Sequence, residues 1–138
     1  MEAQGSCEQQ LQGLLRSGRI SGVALAGHAG RLHFAHGDLE LPRDSPATES
    51  PAAVHQFVAA FRSAAPATAF QVHGERCVVV SAHDASYFAV SRQRRLGVSV
   101  IYLQGGVLVV TYRRHQLGAA AEVAALAQRL AWRPPAPL

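Results

Sequence analysis

The chain has 138 residues, a formal net charge of +4, and 49% apolar against 16% charged residues. That length accommodates one core and excludes two, and a chain this apolar is not expected to be disordered. Two cysteines exclude a disulfide framework or a cysteine knuckle for zinc, and no apolar run reaches the roughly 18 residues of a membrane span. The start Met1-Glu2-Ala3-Gln4-Gly5 lacks the basic and apolar regions of a signal peptide, so a cytoplasmic protein is expected.

Residues 6–17 are predicted to be helical, with Ser6 and Gln9 at capping-box spacing, Leu11, Leu14 and Leu15 on one face and Gly18 as the stop. Two short strands follow, Gly22 to His28 and Leu32 to His36, joined by Ala29-Gly30-Arg31. Residues 37–50 collect Pro, Asp, Ser and Gly and read as a surface loop. Ser50-Pro51 is a helix start, with a capping hydroxyl and a proline where its missing N–H costs nothing. Val54, Phe57, Val58 and Phe61 then form one apolar face, ending near Ser63.

From Thr68 to Arg114 the pattern changes to β-branched and aromatic runs at 68–72, 75–82, 86–92, 97–103 and 107–113. The short links His73-Gly74, His83-Asp84 and Gly105-Gly106 predict antiparallel pairing of sequential neighbours. A last helix, about Gly118 to Trp132, places Val123, Leu126 and Leu130 on one face, and the tail Arg133-Pro134-Pro135-Ala136-Pro137 cannot continue it. The whole predicts an α+β domain over residues 1–132, with a central antiparallel sheet of about seven strands flanked by N-terminal, middle and C-terminal helices, and a Pro-rich tail over 133–138.

Enzymatic signals are weak. His33 and His36, with Asp38 beyond, have ligand-like spacing, but an i, i+3 pair on a strand points to opposite faces. Cys77 beside His83 or His115 suggests a nucleophile, yet a thiol within Arg76-Cys77-Val78-Val79-Val80 is ordinarily buried and inert. No nucleophile elbow, phosphate loop or dinucleotide fingerprint occurs. No catalysis, metal or cofactor is expected.

All 13 basic residues are arginine, whose planar fork suits carboxylates and phosphates, although the codon usage of a GC-rich gene explains the bias equally well. Arg92, Arg94 and Arg95 follow one strand, and Arg113 and Arg114 end another. If the strands pair as predicted, the two clusters approach and form a patch for anionic phosphoinositide lipids. The plainer alternative is a charged turn that blunts a sheet edge. Nucleic acid is a poor fit, because few aromatics accompany the arginines.

The order helix, two strands, helix, five strands, helix resembles that of profilins. Ser50-Pro51-Ala52-Ala53-Val54 is similar to that family's start of the second helix, with Ala53 in place of Glu. The stretch Val72-His73-Gly74-Glu75-Arg76-Cys77 leads into a similar small-basic-Cys strand, and Val98 to Tyr112 resembles the divergent testis-type isoform. The rival is the roadblock/longin group of scaffolds, against which the five late strands count. Such a scaffold is expected to assemble into a larger complex, whereas a profilin is expected to act as a monomer.

The resemblance implies binding of actin or an actin-related protein, of proline-rich segments and of phosphoinositides. It aligns Arg62, Arg76, Arg92, Arg94 and His115 with the family's actin face. Against this, Ala120, Ala121, Glu122 and Ala124 replace that family's Asn, Lys, Lys and Tyr, which implies weaker actin binding. Where the proline groove has a Trp and a Tyr in the first helix, this chain has Cys7 and Gln10. Phe34 stands for a second Trp, Arg129 for a His, and Leu130 remains, so the groove is vestigial. Trp132 and the prolines after it are placed to pack over that groove and occupy it.

Overall fold

The computed structural model describes residues 2–27, 32–37, 69–72, 75–83, 86–103 and 106–130. In chain order these form α1 (Glu2–Arg16), β1 (Gly22–Ala26), β2 (Leu32–Gly37), β3 (Ala69–Val72), β4 (Glu75–His83), β5 (Ser86–Ser91), β6 (Leu96–Leu103), β7 (Gly106–Arg113) and α2 (Ala120–Leu130). The seven strands make one antiparallel sheet in the order β2-β1-β7-β6-β5-β4-β3. Sequential neighbours from β3 to β7 pair as their short links predict. The remaining contact, β1 against β7, joins Gly22 to Thr111 and Ala26 to Val107 and places the first hairpin beside the last strand.

The centre of this order explains the composition of β1 and β7. From Gly106 to Tyr112 every residue is buried, as is all of β1, because both faces of these strands are covered. A strand buried on both sides loses the apolar-polar alternation of a surface strand. One face carries Val23, Leu25, Leu108, Val110, Tyr112 and Ile101, packed against Leu11 of α1 and Val123, Leu126 and Ala127 of α2. The other gathers Cys77, Ala89, Val98, Val100, Val107 and Val109. The middle helix predicted over 50–63 lies outside the described residues, as do Arg62, Asp38 and Trp132.

Several boundaries differ from the sequence reading: β1 ends at Ala26 and not at His28, and β2, β4, β6 and β7 are each one residue longer than predicted. Helix α1 begins at Glu2, so Ser6 and Gln9 sit inside the helix and do not cap it. The helix-forming Glu2, Ala3 and Gln4 extend it a turn upstream across Gly5. Arg92 belongs to a 3-10 turn, Arg92–Arg94, and not to β5. The last helix is preceded by a second 3-10 turn, Arg114–Ala119, and becomes α-helical only at Ala120.

The C-terminus of α1 is closed as its sequence suggests. Gly18, at φ +79°, lets Gly18 N–H donate to the Leu15 carbonyl and Arg19 N–H to the Leu14 carbonyl, at 3.1 and 3.0 Å. Gly37, at φ +67°, has no room for a side chain. A Cβ there meets the Ser21 carbonyl at 2.5 Å and Leu15 Cδ1 at 2.8 Å. No helix among the described residues is long and apolar enough to cross a membrane.

Candidate docking face

Helices α1 and α2 make their main sheet contacts with β1, β2 and β6 and not with β4. On β4, Arg76, Val78 and Val80 alternate with inward-facing Cys77 and Val79, and Val78 pairs with Val90 of β5 on the helix-bearing side. Val78 is 48% exposed and Val80 59% exposed. Val80 falls where the β4–β5 register shifts between Val79 and Ser81, a bulge that turns its side chain outward. Arg76, Val78, Val90 and Arg92 line a solvent-open recess there, so an apolar floor has a guanidinium at either side. Sequence reasoning singled out Arg76 and Arg92 and missed the two valines. Their only signal was Val78-Val79-Val80, a run that needs both faces covered or one face left open.

At the strand ends beside this floor, the turn Arg92–Arg94 reverses the chain between β5 and β6. Gln93 (φ 63°, ψ 14°) and Arg94 (φ 56°) are both left-handed, a conformation that costs a non-glycine residue about 1–2 kcal/mol. Two contacts hold it: Leu96 N–H donates to Ser91 Oγ at 2.8 Å, and Arg114 Nη2 donates to the Gln93 carbonyl at 3.2 Å. The pairing of Leu96 with Arg113 brings the two arginine clusters together. Arg95, Arg113, Arg114 and His115 line one recess with Glu75, which offsets part of their charge. Arg92, Arg94, Arg95, Arg113, Arg114 and His115 are all exposed.

Above β6, the turn Arg114–Ala119 is seated by Leu117, which lies directly on Gly97. A Cβ on Gly97 would clash with Leu117 Cδ2. This close approach explains a glycine in an otherwise largely apolar strand.

The other residues singled out from the sequence occupy quieter places. Cys77 is fully buried, and burial, with a smaller contribution from the Glu75 charge, pushes its thiol above the usual range. A buried protonated thiol is a poor nucleophile. His36 Nε2 lies 2.6 Å from Glu8 Oε2 and 3.1 Å from Gln12 Nε2, tying β2 to α1. Among the described residues no three His, Cys, Asp or Glu side chains converge on a metal position. Phe34 is buried in the core with its ring stacked on His36, and Gln10 is exposed. The side chains of Cys7, Arg129 and Leu130 lie outside the described residues.

A family model described as profilin matches residues 4–132. The chain belongs to the profilin family. Among solved structures it is similar to Acanthamoeba castellanii profilin IB, with a TM-score of 0.66 and 24% identity over 84% of this chain and 88% of that one. Profilin IA of the same organism gives 0.65 and 25% over the same shares. LokiProfilin1, solved in complex with rabbit actin, gives 0.68 at 12% identity over 92% of this chain and 95% of that one. No curated protein sequence matches the chain. Membership rules out the roadblock/longin alternative. Profilins are actin-binding proteins and not enzymes, so the functional site of this family is a docking surface.

Proposed function

We propose that this profilin-family chain binds actin or an actin-related protein as a monomer, through the part of the sheet that α1 and α2 leave open. The observation that carries the reading is the apolar floor of Val78 and Val90 between Arg76 and Arg92, with exposed Val80 further along β4. An apolar centre ringed by arginines is the composition of a protein interface, and arginine forks pair with carboxylates on a partner. Arg94 and His115 extend the rim, and Arg62 is carried into the reading by its sequence position alone.

The affinity is expected to be modest. Ala121, Glu122 and Ala124 are exposed on α2, where the family carries polar anchors, and Glu122 is already engaged by Arg19. Titration of labelled monomeric actin, with inhibition of pyrene-actin assembly as the second readout, tests the proposal. Saturable one-to-one binding supports it, and no binding at high micromolar concentration refutes it.

A second reading rests on the basic corner of Arg92, Arg94, Arg95, Arg113 and Arg114. Its exposed guanidinium groups favour phosphoinositide headgroups, whose phosphates accept paired hydrogen bonds from arginine. Co-sedimentation with vesicles containing a phosphoinositide, against vesicles of equal charge without it, separates headgroup recognition from plain attraction. Oligoproline is not expected to bind, because Phe34 is buried and Gln10 offers no ring for stacking. A cytoplasmic location is consistent with all three statements.

A further inference from the structure

We infer that Gln116 is a positioning residue for the basic corner: it holds the turn bearing Arg114 and His115 by tying it to the end of α1. The inference rests on the proposed docking role of that corner.

Gln116 is the buried residue of the turn Arg114–Ala119, while Arg114 and His115 beside it are exposed. Its amide is used at both ends. Oε1 accepts from Arg113 N–H at 2.9 Å, and Nε2 donates to the Gly18 carbonyl at 2.9 Å, across 98 positions of sequence. One partner is a donor and the other an acceptor, so the amide has a single satisfying orientation. A buried amide in an otherwise apolar setting is costly unless both ends are bonded, and here both are.

The partner at Gly18 is itself fixed. The turn that follows α1 is tied to β7 by Ser21 N–H donating to the Thr111 carbonyl at 2.9 Å, and to α2 by the Arg19–Glu122 ion pair. Gln116 therefore fastens the corner to a segment that cannot follow it outward. Leu117 on Gly97 is an apolar contact without directional preference, which sets how close the turn lies to the sheet. Arg114 Nη2 on the Gln93 carbonyl is an exposed contact of one side chain. The two hydrogen bonds of Gln116 are the buried, directional contacts of the turn's own first residues, and they orient the backbone that carries Arg114 and His115.

Two substitutions in the full chain test this. Gln116→Met keeps length and volume and loses both hydrogen bonds. Gln116→Glu keeps the acceptor for Arg113 N–H, but sets a second oxygen against the Gly18 carbonyl until the carboxyl is protonated. In protein shown to be folded at the assay temperature, Gln116→Met is expected to weaken actin binding about fivefold to tenfold at every pH from 6 to 8. Gln116→Glu, whose carboxyl stays ionised over this range, is expected to lose at least as much. The NMR signals of the His115 ring, compared with wild type at one pH, should shift in both variants. Wild-type affinity in either folded variant, or unchanged His115 signals in both, overturns the inference. If wild type does not bind actin, the proposed function fails, and the His115 signals decide the positioning role alone: unchanged signals refute it.

Discussion

Over β1 and β6 one face of the sheet is sealed by α1 and α2, while at Val78 of β4 the same face is open, although Val78 is as apolar as Val110 and Val23. The difference lies in what stands above each strand and not in the strands themselves. Where two helices cover the sheet, an apolar side chain contributes to stability. Where they stop short, the same kind of side chain is left to meet another molecule. In this chain the boundary falls at Gly97, where Leu117 sits on the strand and α2 begins shortly afterwards.

Substitutions on either side of that boundary should separate the two roles. The largest effect is expected in the sealed half. Leu108 is fully buried against the helices, and Leu108→Ala should cost about 2–5 kcal/mol, read by chemical denaturation, because the cavity cannot collapse between two layers. A loss below about 1 kcal/mol would show that the helices do not seal this face.

Next comes the polar pair inside the same core. Ser99 Oγ and Tyr112 Oη lie 2.9 Å apart in a buried setting. Ser99→Ala should cost about 1–3 kcal/mol by leaving the phenol without a partner. Burial pushes the Tyr112 phenol well above its usual value of 10.0, with the Ser99 bond acting weakly in the opposite direction. Since the folded value is the higher one, this contribution to stability is complete below about pH 10 and is lost as pH rises through the folded value. Tyr112→Phe should flatten the alkaline fall in a pH series of melting temperatures, and an unchanged slope would assign the fall to other groups.

In the open half the effects should move from stability to binding. Val78→Asp is expected to change stability by no more than about 0.5 kcal/mol, as exposed positions do. It should weaken actin binding tenfold or more, about 1.4 kcal/mol, by placing a charge on the apolar floor. Equal affinity would remove β4 from the docking face. The smallest effect belongs to the rim of the sealed half, where Glu8 and His36 are partly exposed. Glu8→Gln should cost less than about 1 kcal/mol in urea unfolding at pH 6. A larger loss would mean that this contact, and not the apolar face of α1, holds the helix on β2.

The legible parts of the fold were the local ones. Leu11, Leu14 and Leu15 marked the inner face of α1, and the short links from β3 to β7 implied the strand pairing observed, because a tight turn leaves a neighbour little alternative. The approach of the arginine clusters followed from that pairing. Ser6 misled, since a capping pattern cannot compete with helix-forming residues on both sides. Gln116 carried no visible signal. A lone glutamine between a histidine and a leucine acquires its role only when Gly18, almost a hundred residues away, is brought against it.

Among the described residues the amino-acid order alone thus determined which segments are strands and which are terminal helices, which side of those helices is apolar, and that basic groups collect at the strand ends, because these depend on neighbours within a few residues. Tertiary structure decided the pairing of β1 with β7, the strip of β4 left uncovered and the fastening of the His115 turn to α1. Each of these arises from contacts between distant segments, and no local preference encodes which distant partner a strand face or a buried amide will meet.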